Sequence, residues 1–260
     1  MLYQQTMEKL YAMKLNGMAE ALEEQRRTAG ELSFEERLGL LVERQWLWRE
    51  NRALKTRLRA ARLKLQACVE DIDYRAPRGL DRNVVEQMAA AEWVANRRNC
   101  LITGPAGSGK TYLACALAQQ SCRDGFRTLY FYAPKLFREL AGARADGSLA
   151  ALLRKIMKAQ LLLIDDFGLE KAAADDYRGL LEVIDDRHGS GATLMTSQYP
   201  VATWHELIDN PTIADALLDR LVHSAYRIEL NGESMRKTQA RRSAAKATSQ
   251  PRSTVDHASQ

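Results

Sequence analysis

"LITGPAGSGKTYLA", residues Leu101 to Ala114, decides the reading of the chain. Within it Gly104-Pro105-Ala106-Gly107-Ser108-Gly109-Lys110-Thr111 fits G-x-x-x-x-G-K-[ST] in full. The glycines let backbone N–H groups turn inward onto phosphate oxygens, and a helix beginning at Lys110 adds its positive N-terminal end. An apolar strand at Cys100–Thr103 precedes the loop and a helix over Lys110–Arg123 follows it, the context this motif requires.

The chemistry follows from the residue types. Lys110 reaches the β- and γ-phosphates of ATP, the Thr111 hydroxyl ligates Mg²⁺, and Tyr112 completes the nucleotide-binding run. "LLLIDD", residues 161–166, is a continuous aliphatic strand ending in acid some 55 residues after the loop. Asp165 would hold Mg²⁺ through water, and Asp166 would polarise the attacking water. Aspartate is one methylene shorter than glutamate, which predicts slow turnover. After the next strand, in "LMTSQYP", Gln198 is the candidate to orient the water or sense the γ-phosphate, with Thr196 and Ser197 as alternatives. Polar residues there also serve simply as turn formers. Arg220, in "ALLDRL", is either an arginine finger acting across a subunit boundary or half of an Asp219–Arg220 surface pair. Arg236, in "GESMRK", either folds back onto the γ-phosphate or is a solvated helix residue.

Outward from the loop, strand and helix alternate. A helix over Asp81–Asn96 leads in. "RTLYFYA", "LLLIDD", "ATLMTSQ" and "AYRIEL" read as strands, separated by helices in "APKLFRELAGA", "LLRKIMKAQ", "YRGLLEVIDDRHGSG" and "TIADALLDRLVHS". This order predicts an α/β domain over 71–236, a parallel sheet covered by helices on both faces. Residues 1–70 hold no Pro and only three Gly, with apolar residues at helical spacing, and predict a small all-helical domain. Its helices run near Tyr3–Arg27, from Ser33 with Glu36 in a capping box, and along a seam of Leu47, Leu54, Leu58, Ala61 and Leu65. Residues 237–260 are basic and poor in large apolar side chains, which predicts a disordered tail.

The 260 residues, 46% hydrophobic and 27% charged, suffice for one sizeable domain and a smaller one. No apolar run approaches the roughly 20 residues that span a bilayer, and the N-terminus lacks a signal-peptide core, so a cytoplasmic protein without membrane contact is expected. Four cysteines show no metal spacing. The net charge of +5 is unevenly placed: between Arg44 and Lys64 eight basic residues face one Glu. Arg44, Arg49, Arg52, Lys55, Arg57, Arg59, Arg62 and Lys64 therefore form a candidate surface for duplex DNA phosphates, nearly independent of sequence. A solvated basic face is the alternative. Trp46 and Trp48 within it could stack on bases, though helical aromatics more often pack in a core.

The order of these parts resembles the AAA+ ATPases. More narrowly, "KLNGMAEAL", "RALKTRLRAARL", "DYRAPRGLDRNVV", "GPAGSGKTYLACAL", "LLLIDDFGLE" and "TSQYPVATWHELIDNPTIADALLDRLVHSAYRIELNGESMRK" resemble the IstB-like transposition helper ATPases, relatives of the DnaC helicase loaders and of DnaA. The resemblance covers about residues 5–238. It implies an ATP-dependent, DNA-binding regulator of insertion-sequence transposition that self-associates with ATP and works beside a transposase. It makes Arg220 the finger and Arg236 a second sensor, puts Gln198 where many AAA+ proteins have Asn, and implies that the C-terminal helical lid is largely absent. A DnaC-like loader, whose helical domain grips a helicase, shares the same fold and site.

Overall fold

The computed structural model describes residues 2–28, 32–232 and 234–235. They divide into two compact units, Met1–Ala60 and Ala61–Gln260. The division falls about ten residues before the expected boundary at 70, because Ala67, Val85 and Ile72 share one apolar core with Leu113 and Leu117. Arg236, the tail and any lid beyond it lie outside the described residues.

The first unit contains helices α1 (Leu2–Ala12), α2 (Asn16–Thr28) and α3 (Phe34–Ala61). The single helix expected over Tyr3–Arg27 is interrupted where Lys14 takes a left-handed φ of 59°. The capping box at the start of α3 is formed from both sides: Glu36 N–H donates to Ser33 Oγ at 3.2 Å, and Ser33 N–H to Glu36 Oε2 at 2.8 Å. Helices α2 and α3 meet closely at Gly17, where an added Cβ would lie 2.6 Å from Trp48 Cβ. The buried Gln45 accepts the Met18 N–H at 3.1 Å, fixing the crossing.

Helix α3 departs from its expected seam. Leu47 is 48% exposed and Leu65 lies beyond the helix, which stops at Ala61 where Arg62 turns to φ 54°. Trp46 is 62% exposed rather than packed in a core. Arg44 pairs with Glu24 at 2.7 Å, and Arg52 lies over the Trp48 ring. Arg49, Lys55 and Arg59 are exposed and, among the described residues, make no ion pair. Arg62 and Lys64 are not on the helix at all.

In the second unit, α4 (Arg82–Ala89) and α5 (Glu92–Ala95) replace the one helix expected over Asp81–Asn96, divided at Ala91 with φ 56°. There follow β1 (Cys100–Thr103), α6 (Lys110–Arg123), β2 (Thr128–Tyr132), α7 (Ala133–Ala145), α8 (Leu149–Met157), β3 (Leu161–Phe167), α9 (Ala174–Arg187), β4 (Ala192–Ser197), α10 (Trp204–Leu207), α11 (Pro211–Val222) and β5 (Tyr226–Glu229). The five strands are all parallel, in the order β2-β3-β4-β1-β5.

Both faces of the sheet are covered. Leu162 and Ile164 of β3 pack with Leu136, Leu180 and Trp204, while Leu161 and Leu163 pack with Leu113, Leu117 and Trp93. A strand buried on two sides needs no alternation, which is why "LLLI" is aliphatic throughout. At the start of β3 and β4 the polar ends are gathered by one side chain. Arg187, 1% exposed, donates to the carbonyls of Ile156 (3.2 Å), Ala159 (2.8 Å), Gln160 (3.4 Å) and Ala192 (2.5 Å). Burial lowers its pKa to about 10, still far above neutral, so the guanidinium remains charged. Among the described residues no helix is long and apolar enough to cross a membrane.

Candidate functional site

The site lies at the carboxyl ends of β1, β3 and β4, where the switch from β1 to its neighbours opens a crevice. Chain geometry there demands glycine at two points. Gly104 has φ 145°, and a Cβ on it would stand 2.2 Å from the Leu230 carbonyl oxygen; Gly109 has φ 96° and caps the N-terminus of α6. The loop's backbone is braced from behind by Arg78, 4% exposed, which donates to the Ser108 carbonyl at 3.0 Å and the Asp73 carbonyl at 3.1 Å. Burial depresses the Arg78 pKa, with Asp73 opposing the shift. On the other side Met235 N–H donates to the Gly107 carbonyl at 2.8 Å.

A cavity of about 590 Å³ opens over the loop, lined by Ala106, Gly107, Gly109, Lys110, Thr111 and Tyr112 together with Lys64, Arg78, Asp166 and Gln198. Its size is that of a small-molecule site. Gly104 and Pro105 offer their carbonyls to the Lys110 ammonium at 2.7 and 2.9 Å. Ser108 is fully buried beneath the loop.

Asp165 is the best-connected carboxylate of the site and has no exposure. Its Oδ1 accepts from Thr111 at 2.9 Å and Thr196 at 2.7 Å; its Oδ2 accepts from Tyr130 at 3.0 Å and from the Lys64 ammonium at 3.3 Å. Burial and the Asp165 charge push the Tyr130 phenol well up, which keeps it a donor. Asp166 follows at a bulge between Ile164 and Phe167, with a left-handed φ of 60°. The turn aims consecutive carboxylates into one site, and its strain is held by the Thr196 hydroxyl accepting the Asp166 N–H at 2.9 Å. Burial, then the Asp165 charge, raise the Asp166 pKa, while Lys64 and Lys110 pull it back. For Lys64, burial opposes the charge but the two aspartates outweigh it, so its pKa lies above the ordinary lysine value.

The structure thus brings Lys110, Thr111, Asp166 and Gln198 to one cavity edge, with Asp165 buried behind Thr111. Among the three polar residues at and just after the end of β4, Gln198 lines the cavity, Thr196 bridges the two aspartates, and the Ser197 hydroxyl donates to the Phe167 carbonyl. Arg220 is elsewhere in the chain's own fold, on α11, and its partner is Asp185 at 2.5 Å rather than Asp219. Lys64 is the chief departure: expected in a DNA-facing row, it stands on the site's carboxylates. Tyr130 and Arg78 have no local signature, since Tyr130 meets Asp165 only through the β2–β3 register.

The chain is 49% identical over 245 residues to a protein of Sinorhizobium fredii (strain NBRC 101917 / NGR234) named as an insertion sequence ATP-binding protein, covering 94% of this chain and all of that one. Among solved structures it resembles DnaI, at 25% identity and a TM-score of 0.54 over 64% of this chain and 91% of that one. It also shares the fold of the DnaC helicase loader, at 17% identity and a TM-score of 0.52 over 63% and 96%. Residues 8–243 match the family of the IstB-like ATP binding proteins. With its phosphate loop complete on an AAA+ fold, the chain belongs to that family.

Proposed function

We propose that the protein is an ATP-dependent DNA-binding regulator of insertion-sequence transposition, which assembles on duplex DNA with ATP, hydrolyses it slowly, and brings target DNA to a transposase. The observation that carries the reading is the pairing of Thr111 with Asp165 beside a complete phosphate loop, in a chain of an insertion-sequence family.

The residues fit Mg²⁺. Among the described residues no three His, Cys, Asp or Glu cluster to hold a metal by themselves. The hydroxyl of Thr111 and carboxylate of Asp165 offer the one or two protein oxygens that Mg²⁺ takes alongside phosphate and water. Bound there, the ion would neutralise charge on the phosphates. Lys110 would leave the loop carbonyls for the β- and γ-phosphates, Asp166 would accept a hydrogen bond from the attacking water, and Gln198 would orient it. Arg220 would be supplied to a neighbouring subunit's nucleotide, and Arg236 is assigned as second sensor on the family resemblance alone.

On α3, Arg52, Lys55 and Arg59 recur at three- and four-residue spacing and so share a face, with Arg44, Arg49 and Arg57 elsewhere on the helix and Arg62 just beyond its end. From Arg44 to Arg59 the row extends about 22 Å at about 1.5 Å per residue. Each phosphate it neutralises releases counterions, and joining subunits multiplies weak rows into tight binding. The reading implies a cytoplasmic location beside the DNA.

The test is fluorescence anisotropy on a mixed-sequence duplex. Binding should require ATP, fall steeply with salt, and weaken when Arg52, Arg57 and Arg59 are changed to Ala together. Unaltered duplex binding by that triple variant at moderate salt would mean that the helical unit grips a protein, the behaviour of a helicase loader.

A further inference from the structure

Lys64 belongs to the ATPase unit although it follows the last residue of α3 by only three positions. Its segment is seated rather than loose. Leu63 and Val69 pack on the core that holds Ala67, Ile72 and Leu113. The side chain reaches from there into the nucleotide cavity. Its ammonium is 3.3 Å from Asp165 Oδ2, 3.6 Å from Asp166 Oδ2 and 5.3 Å from the centre of the Tyr132 ring. Two carboxylates and an aromatic face make a cage for one cation.

The same Asp165 carboxylate is the one that, with Thr111, fits Mg²⁺. An ammonium bound to Oδ2 lowers the negative charge available to a divalent ion and takes up one of its oxygens. We propose that Lys64 is a tethered counter-cation that competes with Mg²⁺ for Asp165 and Asp166, so that binding of the Mg²⁺-nucleotide releases Lys64 and loosens the backbone leaving α3. This inference rests on the ATP and Mg²⁺ reading above and adds a residue to it. The displaced side chain has somewhere to go, since 43% of it is already exposed. The ammonium ties residue 64 to two carboxylates of β3, so its withdrawal removes one restraint from a segment otherwise held by Leu63 and Val69.

The experiment titrates MgCl₂ into the full-length protein with a fluorescent ATP analogue, with a parallel series in EDTA. For Lys64→Met the half-saturating Mg²⁺ concentration should fall about tenfold, Lys64→Arg should stay close to the parent, and in EDTA Lys64→Met should bind the analogue no more tightly than the parent. Hydrogen exchange of a 61–67 peptide should speed up several-fold in the parent with Mg²⁺ and ATPγS but not with ATP in EDTA; in Lys64→Met it should be fast in both. Tyr132→Leu, which removes only the aromatic wall, should lower the Mg²⁺ requirement by a smaller factor and serves if Lys64→Met does not fold. An Mg²⁺ requirement that is unchanged or higher in both variants overturns the proposal. A parent that binds no nucleotide overturns the ATP reading itself, and that result is visible in the first arm of the titration.

Discussion

Thr196→Val removes one buried hydroxyl that serves two masters. The side chain has no exposure, so no water can replace what is lost. The hydroxyl donates to Asp165 at 2.7 Å, a bond to a carboxylate worth about 1.5–3 kcal/mol. Asp165 keeps Thr111 and Tyr130, which places this loss at about 1.5 kcal/mol. The Asp166 N–H is left without its acceptor in a half-buried turn, at a further cost of about 1–3 kcal/mol. The added methyl returns about 0.8 kcal/mol. The net is about 2–4 kcal/mol of stability in the ATPase unit, or about 30- to 1,000-fold in an opening equilibrium. Hydrogen exchange of β3 and β4 amides reads this directly, with Thr196→Ser, which keeps the hydroxyl and sheds one methyl, as the reference. Turnover should also fall in the valine variant, because φ 60° at Asp166 is no longer held. If valine and serine lose the same protection, the hydroxyl bridge is not what holds the two aspartates.

Four further outcomes follow from the geometry. Lys110→Ala should abolish ATP binding while Asp166→Asn keeps it and stops turnover, checked by equilibrium nucleotide binding and phosphate release; equal ATP affinity in Lys110→Ala and the parent would remove the loop assignment. Arg220→Ala should bind ATP as the parent does yet lose hydrolysis in the assembly, and co-assembly with Lys110→Ala subunits should restore part of it, a finger in trans being worth about 10³–10⁵ in rate in well-studied systems. Gly17→Ala should destabilise the helical unit by about 1–3 kcal/mol through overpacking, since its Cβ would lie 2.8 Å from the Arg44 carbonyl. Gly39→Ala, with nothing within 4 Å, should stabilise the helical unit by about 1 kcal/mol through helix propensity, read as a higher melting point.

Local chemistry was legible where it repeats or must take one form. The strand–loop–helix around Lys110, the aliphatic run into Asp165 and the Ser33–Glu36 box all appear within one or two residues of where the pattern puts them. Breaks made by non-glycine residues at positive φ, Lys14, Arg62 and Ala91, were not legible, since such residues carry no glycine signal. Arg62 had the larger consequence, because it ends α3 and sends Lys64 away from a row that spacing alone would continue. The surroundings of Asp165 come from four separate segments, and only the sheet order and register bring Tyr130 and Thr196 there. Nothing in a run of aliphatics announces that order.

The same aliphatic run raises a question of proofreading that the Arg187 clamp answers. Leu161 to Ile164 are buried on both faces, so sliding β3 by one residue against β4 would still bury four large aliphatics. Hydrophobicity is therefore nearly blind to the slip, unlike in a half-exposed strand where it would turn every side chain inside out. Arg187 is not blind. Its charge can leave water only when the carbonyls of Ala159 and Gln160, entering β3, and of Ala192, opening β4, converge on it together. A slipped pairing would strand a buried guanidinium, so misaligned sheets are rejected at one end of the strands. The beneficiary is the other end, where one residue of slip would send Asp165 to the face of the sheet opposite Thr111.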